Sequence, residues 1–291
     1  MSTAVSVLPI GCGGDELLGM LHTPADAGAA VGVLIVVGGP QYRVGSHRQF
    51  VTAARALAAG GYPVLRFDYR GMGDSAAQVR TFEAVNEDIR AAIDAFCKAV
   101  PTLHSVVLYG LCDAASAVMM YAAGDARVGG LIVLNPWART QATQAATHLR
   151  HYYVQRFLQP AFWRKLFSAR FNPLRAGREL LSSVGRVWRG GSGTQGPSST
   201  HFLERMLAGI TGFPGRVLVL ISEHDLTAKE FLQLCQSDAR WRKAMGAARV
   251  QQVPLTGADH TFSTRADLDA ANRHALDWLT AAGSASKPVS R

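Results

Sequence analysis

The chain has 291 residues, 48% of them hydrophobic and 18% charged, with four cysteines and a net charge of +9. This length suits one large globular domain or one domain with an insertion; no apolar stretch approaches the roughly 18 residues that cross a bilayer, and the cysteines form neither a disulfide framework nor a C-x-x-C zinc pattern. Residues 1–6 lack the basic and apolar regions of a secretory signal, so a reduced, cytoplasmic setting is expected, in which a free thiol persists.

Residues 4–9 and 17–22 predict an N-terminal hairpin joined through 11–15. A strand at 31–37, a helix near 49–59, a strand at 63–67 and a helix near 81–99 follow. The last carries apolar Val85, Ile89, Ala92, Ile93 and Phe96 at helical spacing. Strands at 106–109 and 131–134 flank another helix. After a break, the pattern resumes with a strand at 216–221, a helix near 228–239, a strand at 249–253 and a helix near 265–281. Such alternation predicts an α/β fold with a mostly parallel central sheet flanked by helices.

The break defines an insertion. Residues 1–136 and 212–291 are expected to form the core, and 137–211 a helical cap. Ten basic residues lie between Arg139 and Arg189, opposed by Glu179 alone, which accounts for the whole net charge. The stretch is also aromatic, with Tyr153 and Trp163 among its candidate substrate contacts. The Gly/Ser-rich piece 190–199 reads as a loop. Aromatic and basic helices fit an anionic lipid or glycan, and peripheral contact with the inner membrane; solvated cap helices account for the same composition. No nucleic-acid module accompanies the charge, so no nucleic-acid partner is expected.

The chemistry concentrates at Gly110-Leu111-Cys112-Asp113-Ala114. A short apolar strand precedes it and a helix-favouring stretch follows, as in a nucleophile elbow, G-x-S-x-G. Here sulfur replaces the hydroxyl and Ala114 the second glycine. A cysteine after a buried strand often only packs, but at the carboxyl end of a parallel sheet it faces the usual ligand crevice. The N-terminus of the next helix favours a negatively charged sulfur there. Cys97 and Cys235 fall within helical patterns and read as core or near-core.

A thiol nucleophile needs a base and an orienting acid. Asp225 follows the 216–221 strand and His260 the 249–253 strand. The order nucleophile, acid, histidine is that of the triad in this elbow arrangement. Glu223, Asp259 and His224 are weaker alternatives. The oxyanion donors expected are the backbone N–H of Asp113 and, because Pro40 has none, that of Gln41 in Gly38-Gly39-Pro40-Gln41. Arg43, His47 and Arg70 are candidate substrate contacts at the rim. The Gly-rich turn from Arg66 to Ser75 reads as a tight structural turn held by Asp68 and Arg70 ahead of a phosphate site, and solvated surface accounts equally for Arg43, His47 and Arg48. No cofactor or metal is implied.

The 66–75 turn, the elbow, Asp225 and His260 together resemble the α/β-hydrolase superfamily. More narrowly, Gly39-Pro40-Gln41-Tyr42-Arg43-Val44-Gly45-Ser46-His47-Arg48-Gln49-Phe50 and the cysteine elbow resemble exosortase A system-associated hydrolases of type 1. The Cys-His-Asp set is also similar to that of dienelactone hydrolases. The resemblance implies an α/β-hydrolase fold and hydrolysis of an ester or thioester, with a setting near exopolysaccharide and envelope-sorting systems. Acyl transfer to a glycan or lipid, or a non-catalytic scaffold, are the alternatives. Substrate and oligomeric state are left open.

Overall fold

The computed structural model describes residues 3–25, 28–38, 41–75, 77–138 and 198–285. The basic stretch from Arg139 to Arg189, with Tyr153 and Trp163, lies outside the described residues. Eight strands form one sheet: β1 (Ala4–Cys12), β2 (Asp15–Thr23), β3 (Val31–Val36), β4 (Val64–Phe67), β5 (Ser105–Leu111), β6 (Val128–Leu134), β7 (Arg216–Ser222) and β8 (Val250–Leu255). Their spatial order is β1-β2-β4-β3-β5-β6-β7-β8. β2 runs antiparallel to β1 and β4, and the remaining pairings are parallel.

Burial follows this topology. The central strands are covered on both faces, so β3 (VGVLIV) and β5 (SVVLYGL) are apolar throughout rather than alternating. β1 is an edge strand, and there Val5 and Val7 remain 46% and 59% exposed. The hairpin is tighter than expected: β1 and β2 extend to Cys12 and Asp15. Only Gly13 and Gly14 form the turn, both at positive φ, which matches the twist of the paired strands.

The described helices are α1 (Gln49–Ala59), α2 (Asn86–Ala99), α3 (Asp113–Tyr121), α4 (Ser198–Gly212), α5 (Leu226–Ser237), α6 (Ala239–Met245) and α7 (Arg265–Ala285). None is long and apolar enough to cross a membrane. α2 starts later than its apolar spacing suggests, because Phe82–Ala84 form a separate 3-10 turn. The helix expected near 228–239 ends at Ser237. Asp238 adopts an extended backbone there and caps α6 by accepting from the Arg240 N–H (2.7 Å).

The chain divides into two compact units, Met1–Arg139 with Phe202–Arg291, and Thr140–His201. Residues 202–211, assigned to the insertion from the sequence, therefore belong to the main unit. Phe202, Met206 and Ile210 are buried in the core, and Phe202 packs edge-on to Phe82 at 5.5 Å. The Gly/Ser-rich loop also ends sooner than expected, since α4 already begins at Ser198.

β3 lies between β4 and β5, so the connections after β3 and β5 leave to opposite sides. Their carboxyl ends are thus the switch point at which open α/β sheets take ligands. Val36 pairs with Gly110, which places the Gly38 turn beside the elbow.

Candidate active site

Cys112 stands between β5 and α3 with φ 61° and ψ −123°. For a residue with a β-carbon this is strained by about 1–3 kcal/mol. Its neighbours hold it there. The Cys112 N–H donates to the Leu134 carbonyl (2.9 Å), and the Cys112 carbonyl accepts from the Trp137 N–H (3.1 Å). A β-carbon on Gly110 would lie 2.7 Å from the carbonyl group of Ala114, so glycine is what lets α3 lie close to β5.

Gly38 has a related cause. A β-carbon there would collide with the Asp113 carboxylate and lie 2.9 Å from the Ala114 nitrogen and the Leu111 carbonyl oxygen. Asp113 opens α3, and its Oδ1 accepts from the Ala114 N–H (2.9 Å). The side chain after the nucleophile thus fills the space that a residue larger than glycine at position 38 would need. Gly39 and Pro40 lie outside the described residues. Gln41 is half-buried, and its Oε1 accepts from Nε2 of Gln49 (3.4 Å).

The structure brings Cys112, Asp225 and His260 together. Asp225 is the N-cap of α5: its carboxylate accepts from the Thr227 N–H (2.9 Å) and the Ala228 N–H (3.2 Å). His260 Nδ1 donates to Asp225 Oδ2 at 2.8 Å. The hydrogen bond to Asp225, then the nearby Cys112, push the His260 pKa up to about 10 against the opposing effect of burial. A cationic imidazole beside sulfur is the setting in which thiols become nucleophilic.

One positioning residue has no counterpart in the motif analysis. Asn135, fully buried at the end of β6, donates from Nδ2 to Ser222 Oγ (2.9 Å) and to the His260 carbonyl (3.3 Å). Its Oδ1 accepts from the Ser222 N–H (2.8 Å). It joins the ends of β6 and β7 to the histidine loop. The available signal was a lone amide closing an apolar strand. The alternatives to the acid and base are used elsewhere. Glu223 accepts from the Gly257 N–H (2.9 Å), Asp259 from the N–H groups of Thr261 and Ser263, and His224 is exposed.

A family model described as the alpha/beta hydrolase family matches residues 33–272. The chain belongs to that family. Among solved structures it is similar to an esterase of Pyrococcus furiosus, at 15% identity and a TM-score of 0.63, over 96% of this chain and 92% of that one. It is also similar to Est1E of Butyrivibrio proteoclasticus, a structure with ferulic acid bound, at 16% identity and a TM-score of 0.60, over 94% and 99% of the two chains. A third is a serine hydrolase of Xanthomonas campestris described as lacking a lid, at 18% identity and a TM-score of 0.56, over 96% of each chain. At such identities these neighbours show the fold alone. Comparison with curated proteins finds no match.

Within this α/β-hydrolase, two rim residues expected to meet substrate are committed to the fold. Arg70 is 3% exposed and donates to Asp88 from Nε and Nη2 (3.0 Å each) and to Glu87 from Nη2 (2.6 Å), which raises its pKa. It ties the turn after β4 to the first turn of α2. Arg43 pairs with buried Asp68 and with Asp74 (2.7 Å). Asp68 also accepts from the Asp74 N–H (3.1 Å), so the 66–75 turn is a structural clamp. Arg66 donates to neutral, buried His22 (3.1 Å), whose pKa burial and then Arg66 lower to about 4. His47 is exposed in a left-handed conformation. Among the described residues no cluster of three or more His, Cys, Asp or Glu is arranged to hold a metal ion.

Proposed function

We propose that this chain hydrolyses an ester or thioester through an acyl-enzyme on Cys112. The observation that carries the reading is His260 bound to Asp225 at 2.8 Å, with Cys112 near enough at the strained elbow to help raise the imidazole pKa. The Cys112 sulfur attacks the carbonyl carbon, a C–S bond forms, and the carbonyl π pair moves onto oxygen. The backbone N–H groups of Asp113 and Gln41 hold that oxyanion, each such donor worth about 10²–10³-fold in rate. Collapse breaks the bond to the leaving group, which takes its proton from His260. His260 then removes a proton from water, and the resulting hydroxide displaces Cys112 from the thioester. Asp225 keeps the imidazole in the tautomer this requires.

A thiol nucleophile favours activated acyl groups, so thioesters and enol esters are better substrates than amides. The resemblance of two motifs to exosortase-associated hydrolases supports a setting near exopolysaccharide and envelope systems, and it fixes no substrate. The basic stretch from Arg139 to Arg189 adds contact with anionic lipid or glycan, and with it a peripheral place at the inner membrane.

The test is mass spectrometry of the chain mixed with a p-nitrophenyl or acyl-thioester substrate. A burst of product with acyl mass on Cys112 is expected, and Cys112→Ala should lower kcat/KM by more than about 10³-fold. In parallel, substoichiometric iodoacetamide should label Cys112 ahead of Cys97 and Cys235, with the preference lost in His260→Ala. Equal labelling of all cysteines would overturn the enzymatic reading. Product that forms only when a glycan or lipid acceptor is added would replace hydrolysis by acyl transfer.

A further inference from the structure

A cleft of about 490 Å³ lies between α4 and α6, apart from the elbow. α4 lines it with Leu207, Ala208 and Thr211, and α6 with Lys243, Ala244 and the following Ala247. In both helices the spacing is that of a single face. The three alanines leave an apolar floor with room above it. Glu204 and Arg240 close one end, joined at 2.9 Å and 3.0 Å through both guanidinium nitrogens.

Arg249 lies at the other end, beside Thr211. One of its nitrogens, Nη2, donates to the carbonyl of Ile210 in the last turn of α4 (2.6 Å). Its Nε–H is buried with no acceptor among the described residues. Arg240 is already held by Glu204 and Asp238, so Lys243 and Arg249 supply the positive charge. An apolar floor lined by these two cations matches a carboxylate on a short apolar chain.

We infer that this cleft binds a free anionic amphiphile, its carboxylate at Arg249 and Lys243 and its apolar chain over Ala208 and Ala244. The site is independent of the chemistry at Cys112. Arg249 immediately precedes β8, whereas His260 follows the far end of the same strand. The cleft and His260 therefore lie toward opposite ends of β8, about 20 Å apart at roughly 3.3 Å per strand residue.

Isothermal titration of the full chain with octanoate, 1-octanol and acetate tests the assignment. One octanoate is expected per chain, with acetate binding much more weakly. Lys243→Glu, an exposed position, should weaken octanoate by about tenfold or more and leave 1-octanol unchanged. Ala208→Trp, also exposed, fills the cleft without entering the core and should remove both ligands. Chain alkylated at Cys112 with iodoacetamide should bind as before. Loss of binding on alkylation would move the ligand to the elbow and overturn the assignment. So would absence of octanoate binding, acetate binding as tight as octanoate, or octanoate affinity unchanged in either variant.

Discussion

Asp225 serves two structures at once, closing the first turn of α5 and fixing the imidazole of His260. Asp225→Asn separates these roles. Asparagine caps helices about as well as aspartate, so the cap itself should lose less than about 1 kcal/mol. The charge is lost, so the His260 pKa should fall from about 10 toward its ordinary 6.5. Turnover should fall by about 10²–10⁴-fold. An NMR titration of the imidazole, run beside steady-state kinetics, reads both effects; an unmoved titration would mean that Cys112 alone sustains the shift. At this scale the sequence is most legible where a reactive side chain follows an apolar strand, as Cys112, Asp225 and His260 do. Asn135 was not legible, because an amide before a proline also describes an ordinary turn, and only the folded chain carries it to the His260 carbonyl. Arg43 and Arg70 misled for the converse reason. Their carboxylate partners are distant in the chain or hidden in a helix start, so charge near the rim looked available when it was already neutralised.

Helices and strands were legible wherever burial imposes a single period. The apolar runs of β3 and β7 and the amphipathic spacing of α2 come from covering by the layers around them. Boundaries set by a local cap were harder. Asp238 ends one helix and starts another within a single residue, and α6 is too short to show a period of its own. α4 was assigned to the insertion because no strand separates it from the basic stretch, yet its apolar face is buried in the core. β5 and α3 approach each other closely at Gly110. Gly110→Ala places a methyl group 2.7 Å from the Ala114 carbonyl group, where backbone rather than a flexible side chain must yield. Overpacking of this kind costs about 1–3 kcal/mol, which in a chain of this size lowers Tm by about 2–4 °C per kcal/mol. Thermal unfolding of the variant measures it, and an unchanged Tm would mean that α3 shifts freely against the sheet.

The whole molecule should carry the imprint of His260 in its pH dependence. The folded-state pKa lies near 10 and the ordinary value is 6.5, so the native chain binds the extra proton between these limits. The resulting stabilisation is complete below about pH 6.5 and is lost as pH rises toward 10. Urea unfolding across that window should show stability declining with pH, and His260→Ala should flatten this part of the slope. A slope that persists in the variant would assign the effect to other groups. The overall architecture was legible because strand–helix alternation, chain order and the elbow all pointed to one topology. The exact pairing order was not, since β4 crossing to the outer side of β3 depends on contacts between segments far apart in sequence.

The meeting of Cys112 with His260 has a use beyond chemistry. The two residues arrive from strands that are not neighbours, and they touch only when β5 through β8 have all docked in register. In an unfolded chain the four thiols are near equals, whereas in the native chain Cys12 and Cys235 are buried and Cys112 has a cation beside it. The ratio of Cys112 alkylation to that of the other thiols is therefore a built-in gauge of how much of a preparation has completed its sheet, readable without any substrate.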